Sequence, residues 1–338
     1  IGGGGIGEQL LKALKLSTLE MNVFGTDTTK RCKNIFEVDK FFIVKPAYSV
    51  EYCENILNIC SDNKIDVIFP GSEPELKVLS KNREIFETQN IFLPINPDNV
   101  IETCLNKIKT VEFLKKNGFN YPKSIHIKSK TDLELVDFLP AVIKPSIGGS
   151  GSANIMIAQS KKEVMAFGSY LLKIYSEFII QEYIGTPEHE YTVGILLSMK
   201  GEYINSIALK RIIESGLGCK IKVKNRTNND KLGESLVIST GISQGEISKY
   251  PEVTDVCREI ALKLGAKSSI NIQCRFFQNK VYVFEINPRF SGTTSLRAIA
   301  GYNEPEILLE NHFYKKPFII DAKFNKCTIL RGLNETKI

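Results

Sequence analysis

Asn271-Ile272-Gln273 and Phe284-Glu285-Ile286-Asn287-Pro288-Arg289 are the stretches on which the fold of this chain turns. Residues 269–277 and 281–286 read as the arms of a hairpin joined by Gln278-Asn279-Lys280. Successive side chains on a strand point to opposite faces, so Glu285 and Asn287 share one face, while Phe284 and Ile286 alternate as a buried face should. Gln273 can reach the polar face from the neighbouring strand. These oxygens suit octahedral Mg²⁺, which takes one or two carboxylates and leaves room for substrate phosphates. Arg289 then stands beside the metal as a planar anion clamp. The competing reading is a strand with a solvated polar face, and the apolar alternation weighs against it.

Upstream, Lys144-Pro145-Ser146-Ile147-Gly148-Gly149-Ser150-Gly151-Ser152 ends one strand and runs through a Gly/Ser loop into another. Backbone N–H groups without side chains can approach phosphate oxygens closely, and the lysine adds charge. No Gly-Lys-Ser/Thr precedes a helix, so this is not a Walker loop. In isolation an ordinary hairpin turn fits the segment equally well. Next come Gln181-Glu182-Tyr183-Ile184 and His189-Glu190-Tyr191, polar groups able to hydrogen-bond a purine edge and ribose hydroxyls. Taken singly, Glu182 and Glu190 read as surface carboxylates. Lys210 and Arg211 follow a strand, and Lys220, Lys222 and Lys224 alternate with Ile221 and Val223. Such basic positions serve either as a solvent face or as a phosphate wall.

The N-terminal hundred residues alternate short apolar strands with helical patterns, the mark of a parallel doubly wound sheet. Residues 66–69 read as a buried strand closed by Pro70-Gly71, and one helix is expected over 100–117. Gly2, Gly4 and Gly7 match G-x-G-x-x-G, with Asp27 about 20 residues on; this is the dinucleotide fingerprint, or simply strand-to-helix packing. Residues 121–180 form a compact unit of strands and two helices. From Tyr191 strands dominate, so the second half is α+β with an antiparallel sheet. The first strand is nearly absent and the chain opens on Ile1, so a missing N-terminal piece is expected. The stretch from about Phe313 carries no readable pattern.

Composition narrows the function classes. The 338 residues carry 44 Lys+Arg against 38 Asp+Glu, a net charge of +6 spread without a basic block, which argues against nucleic-acid binding. No apolar run approaches the roughly 18 residues of a membrane span. The 8 cysteines form no C-x-x-C pair and the 3 histidines are scattered, so a zinc ribbon is not expected. With no signal peptide visible, a cytoplasmic protein with reduced thiols is expected.

Taken in order, Lys144-Pro145 with its loop, Gln181-Glu182-Tyr183-Ile184, and Asn271-x-Gln273 with Glu285-x-Asn287-Pro288-Arg289 resemble the ATP-grasp superfamily. The likeness is to its carbamoyl-phosphate-synthase large-chain and biotin-carboxylase branch of carboxylate–amine ligases, and it covers roughly residues 1 to 310. It implies a Rossmann-like pre-ATP-grasp domain at 1–100, a linker helix and lid subdomain at 101–183, and a C-terminal ATP-grasp subdomain at 184–312, followed by an extension at 313–338. It further implies that Lys107 and Lys144 contact ATP phosphates under a cover of Gly148, Gly149, Ser150 and Gly151, with Lys210 also among the ATP-binding residues. Gln181, Glu182 and Ile184 would line the adenine pocket, and Glu190 would bind ribose. Glu285, Asn287 and, less closely, Gln273 would hold Mg²⁺, with Mn²⁺ able to substitute. Arg289 would join Lys144 in the chemistry. The loop departs from the pattern at Ser152-Ala153, where an Arg-Gly pair is common. Only one grasp module is present, so complete carbamoyl phosphate synthesis by this chain alone is not expected.

The expected reaction is activation of a substrate carboxylate by ATP as an acyl phosphate, followed by attack of an amine. Glu73 and Glu75, after Pro70-Gly71, face the cleft as ammonium acceptors or serve as helix N-terminal carboxylates. Ser291 and Arg289 are the other substrate contacts. The partners are small-molecule carboxylates and amines, with no nucleic acid or membrane, and a homo-oligomer stays open. Two rivals remain: an ATP-binding regulator without turnover, and a nicotinamide-dependent oxidoreductase using the N-terminal glycines.

Overall fold

The computed structural model of the chain describes residues 5–148, 154–213 and 216–332. The N-terminal part runs α1 (Gly5–Lys15), β1 (Phe24–Asp27), β2 (Lys40–Ile43), α2 (Tyr52–Asn63), α3 (Glu73–Lys81) and α4 (Arg83–Glu87). Strands β1 and β2 pair in parallel. The strand expected at 66–69 is reduced to one parallel bridge, Val67 to Phe92. Pro70 and Pro94, which lack N–H donors, follow each side of that bridge closely and stop the ladder from lengthening. The helix expected over 100–117 is two, α5 (Asp98–Leu105) and α6 (Lys107–Lys116). Asn106 breaks it: its backbone is extended and its side chain accepts from the N–H groups of Ile108 and Lys109, capping α6.

The second unit holds β3 (Ser124–Ile127), α7 (Lys130–Glu134), β4 (Ala141–Pro145), β5 (Met156–Ala158), α8 (Lys161–Leu171) and β6 (Phe178–Glu182). Its antiparallel sheet has the order β3-β6-β4-β5. Ile143, Ile180 and Ile127 pack on one face against Leu133, Val164 and Leu171 of the two helices. The period-two alternation then leaves Val142, Lys144 and Gln181 for the other face.

The remainder builds β7 (Glu190–Leu197), β8 (Tyr203–Arg211), β9 (Cys219–Lys224), β10 (Ser235–Ser239), β11 (Gly245–Ser248), α9 (Pro251–Leu264), β12 (Ser269–Phe277), β13 (Lys280–Asn287), α10 (Thr294–Ile299), α11 (Glu304–Tyr314) and β14 (Cys327–Ile329). A six-stranded sheet has the order β13-β12-β7-β8-β11-β14, and β9 pairs with β10 alone. Helix α9 starts on Pro251 and stops at Gly265, whose φ of +70° suits glycine. Its Val253, Cys257, Ile260, Ala261 and Leu264 bury one face of this sheet. On the opposite face Leu196, Ile207, Leu209 and Ile247 pack against Leu10, Leu14, Leu296 and Leu308, while the polar side chains of β7, β12 and β13, among them Glu190, Asn271, Gln273, Glu285 and Asn287, border the cleft.

The stretch after Phe313 has structure after all: β14 pairs antiparallel with β11, Gly245 opposite Ile329. Residues 9–18 are also stitched to residues 295–306. Asn303 Nδ2 donates to the Ala13 carbonyl at 2.7 Å, Thr18 Oγ1 donates to Glu306 at 2.6 Å, and Ser295 donates to Gln9.

Candidate active site

The four-stranded and six-stranded sheets both line a cleft of about 1200 Å³. Lys144 projects into it from β4 with only 5% exposure. Its Nζ donates to the Phe284 carbonyl at 3.2 Å and lies 5.7 Å from the centre of the Phe284 ring. Burial pushes its pKa down to about 7, Lys107 adds to the effect, and Glu285 opposes it. A buried lysine next to a second lysine is a site prepared for an anion.

Across the cleft, β12 and β13 place Gln273 opposite Glu285 and Asn271 opposite Asn287. Phe284 departs from the expectation. The register shifts between Gln273 and Cys274, so β13 carries one extra residue there. This bulge turns Phe284 out of the core and onto the cleft, where its carbonyl meets Lys144. Asn287 Nδ2 donates to Glu285 Oε1 at 3.2 Å. Arg289 donates to Asn287 Oδ1 at 3.1 Å and to Glu73 Oε1 at 2.9 Å, which ties the polar face of β13 to the first turn of α3. The Arg289 Nε is buried with no partner among the described residues.

Glu285, Asn287 and Gln273 offer hard oxygen donors and a single carboxylate, and no three His, Cys, Asp or Glu side chains converge anywhere among the described residues. That set fits a cation of the Mg²⁺ kind, completed by phosphate oxygens and water, and does not fit zinc. A half-turn of the Asn287 amide would present Oδ1 alongside the Glu285 carboxylate.

Glu190 is 2% exposed and fully engaged. Its Oε1 accepts from Arg211 Nη1 at 3.1 Å and from Ser239 Oγ at 2.5 Å, while Oε2 accepts from Arg275 Nε at 3.2 Å and Nη2 at 3.0 Å. Desolvation would raise its pKa, yet the two guanidinium groups and these hydrogen bonds hold it below the ordinary carboxylate range. Glu190 still lines the cleft, but a sugar hydroxyl would have to share or displace one of these donors.

Most of the candidates meet at this cleft. Lys107, Gly148, Glu182 and Ile184 border it beside Lys144. Gln181 borders it too, its Nε2 donating to Ser124 Oγ at 2.9 Å. Ser291 and Glu73 border it as well. Gly149, Ser150 and Gly151, like Gly2 and Gly4 of the N-terminal fingerprint, lie outside the described residues.

Two candidates are not brought there. Lys210 pairs with Tyr191 and Glu246, on the face that α9 covers; its neighbour Arg211 takes the cleft face, because one step along a strand reverses the side. Glu75 is a cap: it accepts from the Gly71 N–H and Ser72 Oγ, and from Tyr52 Oη at 3.2 Å.

Sequence reasoning missed Arg275 and Ser239, and left Arg211 without a role at Glu190. Arg275 stands two residues beyond Gln273 on the same strand, so alternation alone could have found it. Arg331, on the segment after β14, also lines the cleft, and no local pattern marks it.

A lysine on one sheet and an oxygen-donor row on the other, facing across a cleft between two α+β units, define the architecture that grips a nucleotide between two halves. The chain belongs to the ATP-grasp family: the profile of the ATP-grasp domain matches residues 104–293, and that of the PylC-like N-terminal domain matches residues 1–93. It is 27% identical over 267 residues to the carbamoyl phosphate synthase large chain of Thermoplasma acidophilum, covering 74% of this chain and 23% of that protein. It is 26% identical over 269 residues to the D-alanine–D-alanine ligase of Pelagibacter ubique, covering 76% and 82%. The chain thus spans about a quarter of the Thermoplasma large chain. Among solved structures, an N5-carboxyaminoimidazole ribonucleotide synthetase in its ADP complex superimposes with a TM-score of 0.66 at 16% identity, covering 95% of this chain and 77% of that one. Biotin carboxylase of Campylobacter jejuni gives 0.62 at 14% identity, covering 91% and 68%. At these identities the structural likeness concerns the fold. Among the described residues no helix is long and apolar enough to cross a membrane.

Proposed function

We propose that this chain is an ATP-dependent carboxylate–amine ligase acting on small molecules. A carboxylate oxygen of one substrate attacks the γ-phosphorus of ATP; the bond to the bridging oxygen breaks and ADP leaves. The amine nitrogen then attacks the acyl carbon, the C–O bond to phosphate breaks, and an amide and inorganic phosphate result, the amine proton passing to solvent. The observation that carries this reading is the contact of Lys144 Nζ with the Phe284 carbonyl, which brings a cation of one sheet beside the oxygen donors of the other.

On this reading Lys144 and Lys107 bind the phosphates, and Gln181, Glu182 and Ile184 border the base. Arg289, pre-oriented by Glu73 and Asn287, faces the transferred phosphoryl group or the carboxylate. A Mg²⁺-type cation held by Glu285, Asn287 and Gln273 would neutralise phosphate charge. The unit around residues 124–182 serves as the lid, with residues 190–312 and their C-terminal strand as the body, and closure keeps water from the acyl phosphate.

The test is phosphate and ADP release across a panel of carboxylate and amine pairs, with Glu285→Ala alongside. Release that needs both a carboxylate and an amine, and that Glu285→Ala abolishes while leaving the unfolding midpoint unchanged, is the expected result. Nucleotide binding without release across the panel would instead make the chain a regulator.

A further inference from the structure

Resting on the ligase reading, we propose that the part of the cleft bordered by α1 and the segment leaving β14 binds a carboxylate that the reaction does not consume, and that Arg331 is the residue that grips it. α1, the start of α3, the loop from Ser291 to Ser295 and the segment leaving β14 all line the cleft. Strand β14 is anchored on β11, and the Arg331 N–H donates to Gln244 Oε1 at 3.0 Å, so the side chain is delivered to a fixed place. Its Nη2 is held by three neutral acceptors: Gln9 Oε1 at 2.9 Å, the Gly292 carbonyl, and Ser295 Oγ at 3.4 Å. Its Nη1 and Nε make no hydrogen bond among the described residues, and Arg331 lines the cleft.

Comparison with the other enclosed arginines decides the point. Arg211 and Arg275 share Glu190, Arg297 pairs with Glu304, and Arg289 pairs with Glu73. Arg331 alone among these five has no carboxylate within ion-pair distance among the described residues. Glu8, the acid nearest in effect, is already bound to Lys12 at 2.7 Å. A half-buried guanidinium supported only by neutral oxygens leaves a desolvation cost that an incoming carboxylate offsets, and its planar edge matches that group in two hydrogen bonds. Lys33 and Lys77 line the same cleft and extend the positive field, while Lys12 is matched by Glu8. The carboxylate has two chemical sources: the α-carboxylate of an amino-acid amine, or the second carboxylate of a dicarboxylic donor.

The experiment uses the full chain with Mg²⁺ and ATP. Phosphate release is measured with L-amino acids, each beside its α-amide, and with succinate and glutarate, each beside its mono-amide. The wild type is expected to prefer the acid of one pair by roughly ten- to hundredfold in KM, the worth of a charged hydrogen-bonded pair. Arg331→Gln removes that preference by raising KM for the acid, with the KM of the amide and the Kd for ADP unchanged; Arg331→Lys restores part of it. Preference within the amino-acid pairs identifies the amine as the source, and preference within the dicarboxylate pairs identifies the donor. Equal KM values for acid and amide in the wild type, or a preference that survives in Arg331→Gln, overturn the proposal while leaving the ligase reading intact. Failure of every pair to release phosphate, with ADP still bound, overturns both.

Discussion

Replacing Glu190 by glutamine changes one buried carboxylate to an amide of nearly the same shape. In the native chain that carboxylate balances Arg211 and Arg275, both almost fully enclosed, and takes a fourth hydrogen bond from Ser239. The amide keeps at most one acceptor oxygen and turns an NH₂ towards a guanidinium donor, leaving two buried cations uncompensated. Removing one partner of a buried pair costs about 3–5 kcal/mol, because the remaining charge stays desolvated. Denaturant unfolding of Glu190→Gln beside the wild type measures the loss at constant m-value. Glu163→Gln is the control. Its partner Arg226 has a side chain that is 60% exposed, and such pairs are worth at most about 1 kcal/mol. A loss for Glu190→Gln no larger than that of the control would show that Arg211 and Arg275 are not held by this carboxylate, and the account of the cleft floor would fail.

Other expectations follow from the same geometry. Lys144 has its folded pKa lowered from 10.5 to about 7, so between those values the unfolded chain binds more protons and the nucleotide-free protein gains stability as pH rises; Lys144→Met flattens that slope in pH-dependent unfolding. An anion in the cleft favours the charged amine, so ADP binding above pH 7 should take up protons, read as buffer-dependent binding heats; no uptake at pH 8 would contradict it. Gly194→Ala would place a Cβ 2.4 Å from Arg297 Cζ, forcing the buried Arg297–Glu304 pair to move, and a drop in Tm of several degrees is expected. Glu75→Ala removes a helix cap and should cost about 1 kcal/mol in denaturant unfolding, without changing the KM for ATP.

The elements with strong local patterns were legible in the sequence. Ser129 before its capping box, Pro251 and Gly265 bracketing α9, and the hairpin around Gln278-Asn279-Lys280 each announce themselves within a few residues. The β12–β13 face was legible because alternation is a local rule. Phe284 escaped it, since a bulge is set by the partner strand and leaves no mark on the sequence that carries it. Lys210 and Arg211 were indistinguishable by composition; only register shows which one meets Glu190. Arg331 and β14 were invisible because their partners, Gly245, Gly292 and Gln9, lie far away along the chain.

The stitching of the first helix to the last two sets a schedule for synthesis. Gln9, Ala13 and Thr18 find their partners only at Ser295, Asn303 and Glu306, separations of 286, 290 and 288 residues. At translation rates of about 5–20 residues per second the helix waits roughly 15–60 s for them. During that interval Leu10 and Leu14 lack Leu296, Ala300, Leu308 and Leu309, which share their cluster in the finished protein. A nascent chain halted before residue 290 therefore carries α1 with part of its apolar face still uncovered.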